Sequence, residues 1–415
     1  MATDASTRPT AGFSLADPAF WLRNDRYEEF ARLRRDLPLT WHEEPATEWF
    51  PEGGRGFWAL VRHTDVATVS KDQATFTSGE GTEMVDLSPA ERHIFGGMLN
   101  MHVDDHAKYR GIVSRVLTPR TIEAMSEGID RQAVMSINRV AHRGECDFVA
   151  DIVGDYPAQI IGELLSVPVK DRPRLIHLTV AALSAYGTAG AYQAYLEIID
   201  YAHTLIAQVR EHGAEDNFLG RLLAAEVNGE RMSDQEIAIF FALLLTAGIE
   251  TTATTLATGF YALSLFPEQR REFQENFEEA APVAVEELIR WVTPVQHFRR
   301  TATRDVEMYG QTIKAGDKVT IWYVSADRDE SVFDAPEALD LKRWPNAHVA
   351  FGGGGPHFCL GAMLARKEAI AFLRRLFEIL PDIEVCGTPH FVHSNFVNAV
   401  ATLPVRFTPV APAAF

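Results

Sequence analysis

The sequence Phe351-Gly-Gly-Gly-Gly-Pro-His-Phe-Cys-Leu-Gly361 is followed by a helical pattern that runs from Ala362 to about Leu380. Four consecutive glycines let the backbone fold closely around a neighbouring group, because glycine adopts conformations that other residues avoid. Cys359 lies just before the helix, where the helix dipole favours the ionised thiolate. The sequence therefore places one activated cysteine in a tight loop.

This loop can be compared with several kinds of site. A phosphate-binding loop would need a Gly-Lys-Ser or Gly-Lys-Thr sequence, which does not follow here. A structural zinc site would need a second pair of ligands besides His357 and Cys359. A cysteine nucleophile would need a base, and His357 is too close in the chain to be an obvious one. A thiolate ligand of a metal centre with an open face remains.

A second informative stretch runs from Ser233 to Leu265. Ser233 and Glu236 form the pattern Ser-x-x-Glu, which predicts a capping box and the start of a helix. About 30 residues at 1.5 Å each give roughly 45 Å, which is enough to cross a whole domain. Residues 237–245 are apolar on every side, so this helix should be central and buried.

The sequence Ala247-Gly-Ile-Glu-Thr-Thr252 interrupts that apolar helix. Gly248 costs about 1 kcal/mol relative to alanine in a helix. Glu250 would be a buried carboxylate, and Thr251 can hydrogen-bond the carbonyl four residues earlier. These residues form either a functional notch beside a gap or a packing glycine with a polar patch against a neighbouring helix. The helix by itself leaves both interpretations open.

The cysteine loop resembles the haem-binding loop of the cytochrome P-450 family, Phe-x-x-Gly-x-His/Arg-x-Cys-x-Gly. Counted back from Cys359, the residues Gly355, His357 and Gly361 match this pattern. Phe351 lies eight residues before the cysteine, whereas the family pattern has seven, so the loop carries one extra residue. The resemblance implies that Cys359 is the axial ligand of a haem iron and favours O–O cleavage.

Further motifs of the same family occur in the expected order between residues 106 and 361. They are the oxygen-activating helix motif at 247–252, Glu-x-x-Arg at 287–290 with Arg343 as third partner, His-x-x-x-Arg at 106–110, and a propionate arginine at Arg300. Taken alone, Glu-x-x-Arg would be an exposed ion pair worth ~0.2–0.5 kcal/mol. The ordered set instead predicts a mainly α fold with minor β, the cytochrome P-450 fold, whose long central helix crosses the haem.

The resemblance assigns three groups of residues. Those expected to bind haem b are Cys359, as the iron ligand, with His106, Arg110, Arg300, His357, Phe351, Gly355 and Gly361. Three residues are expected to serve dioxygen chemistry. Thr251 would hold the bound oxygen and its water, Glu250 would help relay protons from the surface, and Gly248 would make room for dioxygen in the helix wall. Those expected to form a buried structural ion network are Glu287, Arg290 and Arg343.

Composition excludes some partners and compartments. The chain has 39 Lys+Arg and 57 Asp+Glu, a net charge of −18, which argues against binding nucleic acid or anionic membrane. Three cysteines make a disulfide framework unexpected and fit a reducing cytoplasm. Neither a signal peptide nor a stretch of about 18 apolar residues is recognised, so we expect no membrane insertion. We expect residues 1–18 to be a loose leader and 19–415 to be one domain.

The resemblance implies a monooxygenase that inserts one oxygen atom from O2 into a C–H bond of an apolar substrate. The chain has no flavin or nucleotide motif, so electrons should come from a separate ferredoxin and ferredoxin reductase. An acidic ferredoxin would dock on a basic face, unless these are ordinary solvated helix charges: Arg366, Lys367, Arg374 and Arg375. The alternative functions are a haem-thiolate isomerase or dehydratase, a haem-binding protein without turnover and, more distantly, a cysteine hydrolase.

Two stretches narrow the substrate. Residues 299–303 and 346–355 resemble the actinobacterial branch that oxidises sterol side chains and methyl-branched lipids; terpenoids and polyketides are the competing substrates. By the same analogy, the apolar pocket walls are 84–101, 179–195, 240–251, 292–298 and 394–400. The segment 179–195 is rich in Ala, Gly and Tyr, which suits a mobile lid or simple helix packing.

Overall fold

The helices follow the apolar periodicity of the sequence, and short strands occupy both ends of the chain. The computed structural model describes residues 8–46, 52–184, 189–212, 217–226 and 229–413. The α-helices are α1 (Arg26–Asp36), α2 (His63–Lys71), α3 (Pro89–Gly96), α4 (Val103–Val116), α5 (Pro119–Ala124), α6 (Ser126–Asn138), α7 (Tyr156–Leu164), α8 (Arg172–Ser184), α9 (Ala189–His212), α10 (Phe218–Ala224), α11 (Asp234–Leu265), α12 (Pro267–Glu275), α13 (Phe277–Val292), α14 (Tyr323–Ala326) and α15 (Ala362–Ile379). The tip of the predicted lid, residues 185–188, lies outside the described ranges.

The strands are short and form one five-stranded sheet and three smaller sheets of two or three strands. They are β1 (Leu39–His42), β2 (Phe57–Leu60), β3 (Phe76–Thr77), β4 (Glu145–Asp147), β5 (His297–Ala302), β6 (Val306–Met308), β7 (Gln311–Ile313), β8 (Lys318–Trp322), β9 (Glu384–Val385), β10 (His390–Phe391), β11 (Val400–Thr402) and β12 (Pro404–Arg406). The five-stranded sheet has the order β1-β2-β8-β5-β3, with β2 and β8 parallel. The fold is thus mainly α with minor β, as expected.

Helix α11 is the centre of the helical part. The Ser233 side chain accepts a hydrogen bond from the Glu236 backbone and completes the capping box. The helix packs against α7, α9, α13 and α15. Its most apolar window has a mean hydropathy of 1.7, enough to span a membrane by composition, yet 61% of that window is buried inside the protein. The expectation that no segment is this apolar is therefore wrong, but α11 has the burial of a core helix.

The predicted loose leader is wrong for residues 8–18. Leu15 is fully buried, and its carbonyl accepts a hydrogen bond from the Trp21 indole at 3.1 Å. The Trp41 backbone N–H of β1 donates to the Pro9 carbonyl at 2.7 Å. Because apolar side chains of this segment join the core beside the sheet, they fix it in place. That residues 19–415 form one domain stays a prediction.

Candidate active site

The glycine run of the cysteine loop wraps around the end of α2. All four glycines, residues 352–355, have positive φ between 66° and 107°, a backbone conformation that L side chains rarely adopt. A Cβ added to Gly355 would lie 2.5 Å from the Ser70 carbonyl oxygen, and one added to Gly353 would lie 2.7 Å from the Ser70 hydroxyl. The glycines are therefore needed for both backbone shape and close contact.

Phe351 is joined to Cys359 through the backbone of the loop. The Cys359 backbone N–H donates to the Phe351 carbonyl at 2.8 Å. The Phe351 ring lies 6.1 Å from the Phe358 ring, and the Arg366 guanidinium lies 4.4 Å above it. That Phe351 packs beside the sulfur despite the extra loop residue stays a prediction.

The Cys359 thiol is surrounded by protein atoms that exclude most water, although the residue keeps accessible surface. Burial raises its pKa, and the backbone N–H groups of Gly361 and Ala362 together with the nearby Arg110 and Arg366 lower it only in part. The expected dipole effect is therefore present but outweighed by burial. A metal cation at the sulfur would supply the missing stabilisation, because a coordinating thiol is deprotonated.

Four basic side chains from three parts of the chain meet beside this loop. The rings of His106 on α4 and His357 are stacked with centroids 3.9 Å apart. Arg110 donates to the Phe358 carbonyl, and Arg300 on β5 donates to the Arg299 carbonyl at 2.7 Å. Nε2 of His106, Nε of Arg300 and both ring nitrogens of His357 are buried without a hydrogen-bond partner.

A bound anion would stabilise the buried side chains of this basic cluster. Burial, with repulsion from Arg110 and Arg300, lowers the pKa of His106 to about 4. Burial, with Arg300, His106 and Arg110, lowers the pKa of His357 to about 2. Among the described residues no carboxylate forms an ion pair with any of the four. Orphaned buried donors are costly, and the two carboxylates of a haem would satisfy them, so these residues fit that cofactor.

The notch in α11 contains a threonine turned onto the helix backbone. The Thr251 hydroxyl donates to the Ala247 carbonyl at 2.6 Å, and Ala247 is exposed although it lies in the middle of the core helix. Burial raises the pKa of Glu250, and no residue in the described ranges forms an ion pair that would offset this effect. From the sequence alone, Ala247 is assigned no role of its own. The sequence signal for its part in the notch is Thr251, four positions later, whose hydroxyl can reach the Ala247 carbonyl.

Gly248 does not open this notch. A Cβ added to Gly248 would lie 2.7 Å from Cδ1 of Ile161 on α7, so the missing side chain lets α7 and α11 pack closely. The expectation that Gly248 makes room for dioxygen is therefore corrected. For this residue the packing interpretation left open by the sequence is the one that agrees with its contacts.

Another acid lies buried where α11 meets α15. Glu368 of α15 is only 1% exposed. Burial raises its pKa to about 8, and the Thr252 hydroxyl offsets this only in part. Its backbone carbonyl accepts a hydrogen bond from the Tyr156 hydroxyl at 3.0 Å. No cation forms an ion pair with Glu368 in the part of the chain that the structure describes.

Glu287 gathers a complete set of donors. Nε and Nη2 of Arg290 each lie 2.7 Å from its carboxylate, and Nε of Arg343 lies at 3.1 Å. The Asn346 amide and the Asp340 backbone N–H, both at 2.9 Å, occupy the remaining acceptor positions. Glu287 and Arg290 are both fully buried, so the charges are paired inside the protein.

Asp327 links this network to the cysteine loop and was not found from the sequence. Its carboxylate accepts from the Val349 backbone at 2.6 Å and from the Thr293 hydroxyl at 3.0 Å. Arg290 donates to its carbonyl at 2.7 Å. Val349 precedes Phe351 by two residues, so Asp327 fixes the start of the loop. No local motif announces a partner 22 residues away.

The predicted basic docking face on α15 is corrected by its ion pairs. The pairs are Arg366 with Glu286, Lys367 with Glu123, Arg374 with Glu278, and Arg375 with Asp130 and Glu378. Each cation is neutralised within the chain. The alternative interpretation, ordinary helix charges, is the one that agrees with the structure.

The fold and this site define a haem-thiolate enzyme, and the chain belongs to the cytochrome P450 family. The family model described as Cytochrome P450 matches residues 188–380. The chain is 37% identical over 411 residues to the methyl-branched lipid omega-hydroxylase of Mycobacterium tuberculosis, with 96% of both chains covered. It is 34% identical to the steroid C26-monooxygenase of Rhodococcus jostii, with 95% of this chain and 85% of that protein covered.

A solved structure gives the same assignment. A Mycobacterium marinum cytochrome P450 in complex with pseudoionone has a TM-score of 0.89 and 37% identity, and the match covers 97% of this chain and 100% of that one. The protein is accordingly an oxidoreductase that incorporates molecular oxygen.

Proposed function

We propose that this enzyme is a haem b monooxygenase that hydroxylates a C–H bond of a methyl-branched lipid or a sterol side chain in the cytoplasm. The observation that carries the cofactor assignment is the set of orphaned buried donors on His106, His357 and Arg300 beside Cys359. The substrate class is supported by the relatives, which are named for methyl-branched lipid and steroid oxidation.

The residues of the cysteine loop and of the basic cluster would hold the haem. Cys359 would ligate the iron, Phe351 would cover the sulfur, and Gly355 and Gly361 would allow the loop its shape. His106, Arg110, Arg300 and His357 would hydrogen-bond the propionates, which charge-assisted bonds favour. When bound, thiolate-ligated haem supplies the activation of dioxygen.

The chain's own residues would control proton delivery on the other side of the site. The Thr251 hydroxyl carries a proton that it donates to Ala247 O at 2.6 Å. Burial raises the pKa of Glu250, which makes its carboxyl a better proton carrier than an exposed glutamate would be. We assign Thr251 to positioning this proton and Glu250 to replenishing it.

A carbon monoxide difference spectrum of the reduced protein tests the haem-thiolate assignment. We expect the absorption band typical of thiolate-ligated haem, and its loss in Cys359→Ala. A spectrum typical of histidine ligation, or no haem retained after purification, would overturn the proposal.

Thr251→Ala tests the proton role. We expect product formed per electron consumed to fall severalfold, because the positioned hydroxyl is lost. Thr246→Ala is the matched control, since the Thr246 hydroxyl makes the same bond to the carbonyl four residues back, at 3.0 Å from Ala242 O. Equal coupling in Thr251→Ala and the wild type would remove Thr251 from this role.

We propose that electrons arrive from a ferredoxin, supplied by a ferredoxin reductase, at the surface around the cysteine loop. Phe358 and Met363 expose 39% and 43% of their surface there. Lys71 lies beside Gly354, whose added Cβ would be 3.1 Å from the lysine Cε, and forms no ion pair among the described residues. An apolar centre with a free cation suits an acidic protein partner.

Lys71→Glu should slow reduction by an acidic ferredoxin about tenfold at low salt, and the difference should shrink at high salt. Arg374→Glu is the control, because Arg374 is already paired with Glu278. Stopped-flow reduction kinetics measure both. Equal slowing by the two variants would contradict this docking surface.

A further inference from the structure

Two basic side chains contact the ring of Phe351, the residue joined to the cysteine through the loop backbone. The Arg366 guanidinium lies 4.4 Å above this ring, and the centre of the His348 ring lies 5.7 Å from its centre. The Phe351 carbonyl in turn accepts the hydrogen bond from the Cys359 backbone N–H at 2.8 Å. Arg366 and His348 are therefore each linked to Cys359 through a single intervening residue.

One carboxylate on α13 holds both of these side chains. Nε and Nη2 of Arg366 donate to the two oxygens of Glu286, the second at 2.7 Å, and Nε2 of His348 lies 3.0 Å from the same carboxylate. A bidentate pair fixes the plane of a guanidinium. Glu286 thus orients Arg366 on the Phe351 ring.

The pair of Arg366 and Glu286 lies where its charges act on the cysteine. Only 33% of the Arg366 side chain and 18% of the Glu286 side chain are exposed. Burial raises the pKa of Glu286, but hydrogen bonds from Arg366 and His348 outweigh this effect and lower the pKa to about 2, so the carboxylate is ionised at neutral pH. The charge of Arg366 reaches the Cys359 thiol, and partly buried charges are screened less than exposed ones. Without Glu286, the cysteine would face an uncompensated cation.

We propose that Glu286 is a positioning residue for the cysteine ligand. It holds Arg366 on Phe351 and cancels its charge, so that a neighbouring cation does not weaken the electron donation of the Cys359 thiolate to the haem iron. Reduction of the ferric iron adds one electron, and an uncompensated cation nearby favours that reduced state. Groups outside the ligand shell adjust a metal in this way. The inference rests on the proposed haem-thiolate site and adds a residue that sets its reduction equilibrium.

Anaerobic titration of the purified holoenzyme with dithionite, in the presence of a redox dye of known potential, measures the ferric–ferrous equilibrium without substrate or turnover. Glu286→Gln keeps the shape of the side chain but leaves the Arg366 charge uncompensated. The equilibrium should shift about tenfold toward ferrous iron, or about 59 mV for one electron. Arg366→Gln leaves the Glu286 charge uncompensated, so it should shift the equilibrium about tenfold toward ferric iron.

Further variants separate the effect of charge from damage to the loop. The double variant with Glu286→Gln and Arg366→Gln removes both charges, so its equilibrium should lie within about twofold of the wild type, whereas structural damage would add up. Arg366→Lys keeps the cation beside Glu286 and should stay within about threefold of the wild type. Glu278→Gln is the matched control, because Glu278 forms an exposed pair with Arg374 between the same two helices. It should shift the equilibrium by less than about twofold.

The outcomes distinguish this inference from the proposed function. Shifts in the same direction for the two single variants, no shift in either, or a double variant that lies farther from the wild type than both would overturn the role of Glu286 and leave the haem-thiolate site standing. So would an Arg366→Lys shift equal to that of Arg366→Gln, or a Glu278→Gln shift equal to that of Glu286→Gln. A reduced wild type without the carbon monoxide spectrum of thiolate-ligated haem would remove both the inference and the proposed function.

Haem content and circular dichroism check that each variant is folded. If Glu286→Gln retains no haem, Arg366→Gln decides by itself, and a shift toward ferrous iron or no shift overturns the inference.

Discussion

Two buried clusters of ionisable side chains differ in whether their hydrogen-bonding groups have partners. Around Glu287 every carboxylate acceptor position is filled, and the two arginines that surround it also bond to backbone carbonyls. Around His106, His357 and Arg300 basic groups meet without an acid, and ring and guanidinium nitrogens stay unpartnered. The cluster around Glu287, in which every charge is paired, stabilises the folded chain. The cluster around His106, His357 and Arg300 lowers stability until an anion binds and pairs with it. The first cluster is therefore structural, and the second is a binding site.

The largest effect should come from breaking the complete cluster. Glu287→Gln removes the carboxylate that Arg290 and Arg343 share and leaves these cations uncompensated, so the free energy of unfolding should fall by about 3–5 kcal/mol. Urea denaturation of the holoenzyme measures this. Glu278→Gln, which breaks an exposed pair with Arg374, should cost less than about 1 kcal/mol. Similar losses in the two variants would contradict the distinction.

Glu368 provides an intermediate case, an acid without a cation. Its pKa is about 8 in the fold and about 4.3 in an unfolded chain. The folded state therefore keeps a proton that the unfolded state has lost, so stability falls as pH rises from about 4 to 8 and levels off above. The stability advantage of Glu368→Gln over the wild type should therefore grow by about 3–4 kcal/mol between pH 5 and pH 8. A pH-independent gap in urea unfolding would refute this assignment.

A smaller effect should follow from removing one member of the incomplete cluster. Arg300→Gln deletes a buried cation with an unsatisfied donor, so the fold should be preserved. The loss of one charge-assisted bond should weaken haem binding by about 2 kcal/mol, or roughly 30-fold. Transfer of haem to excess apomyoglobin measures the release rate, and far-UV circular dichroism checks the fold. Unfolding comparable to that of Glu287→Gln would make Arg300 a scaffold residue.

The motifs with strict local spacing could be predicted, since their partners lie within a loop or a helical turn. The capping box of Ser233, the hydroxyl bond of Thr251 and the pairing of Glu287 with Arg290 all depend on residues three or four positions apart. The mainly α fold follows from the same periodicity. These contacts depend little on how distant parts of the chain meet.

Features that depend on distant partners could not be predicted. The sequence shows four cations on α15 but not the acids on α5, α6 and α13 that neutralise them. It shows Gly248 but not that Ile161 packs against it in the fold, and this contact explains why the residue is a glycine.

The missing side chain of Gly248 sets the distance between two helices. A Cβ at this position would lie 2.7 Å from Cδ1 of Ile161, so α7 and α11 approach each other more closely here than any larger residue at 248 would allow. A substitution at 248 should therefore push α7 away from α11 and shift the turn that carries Glu250 and Thr251, although neither of these two residues is changed.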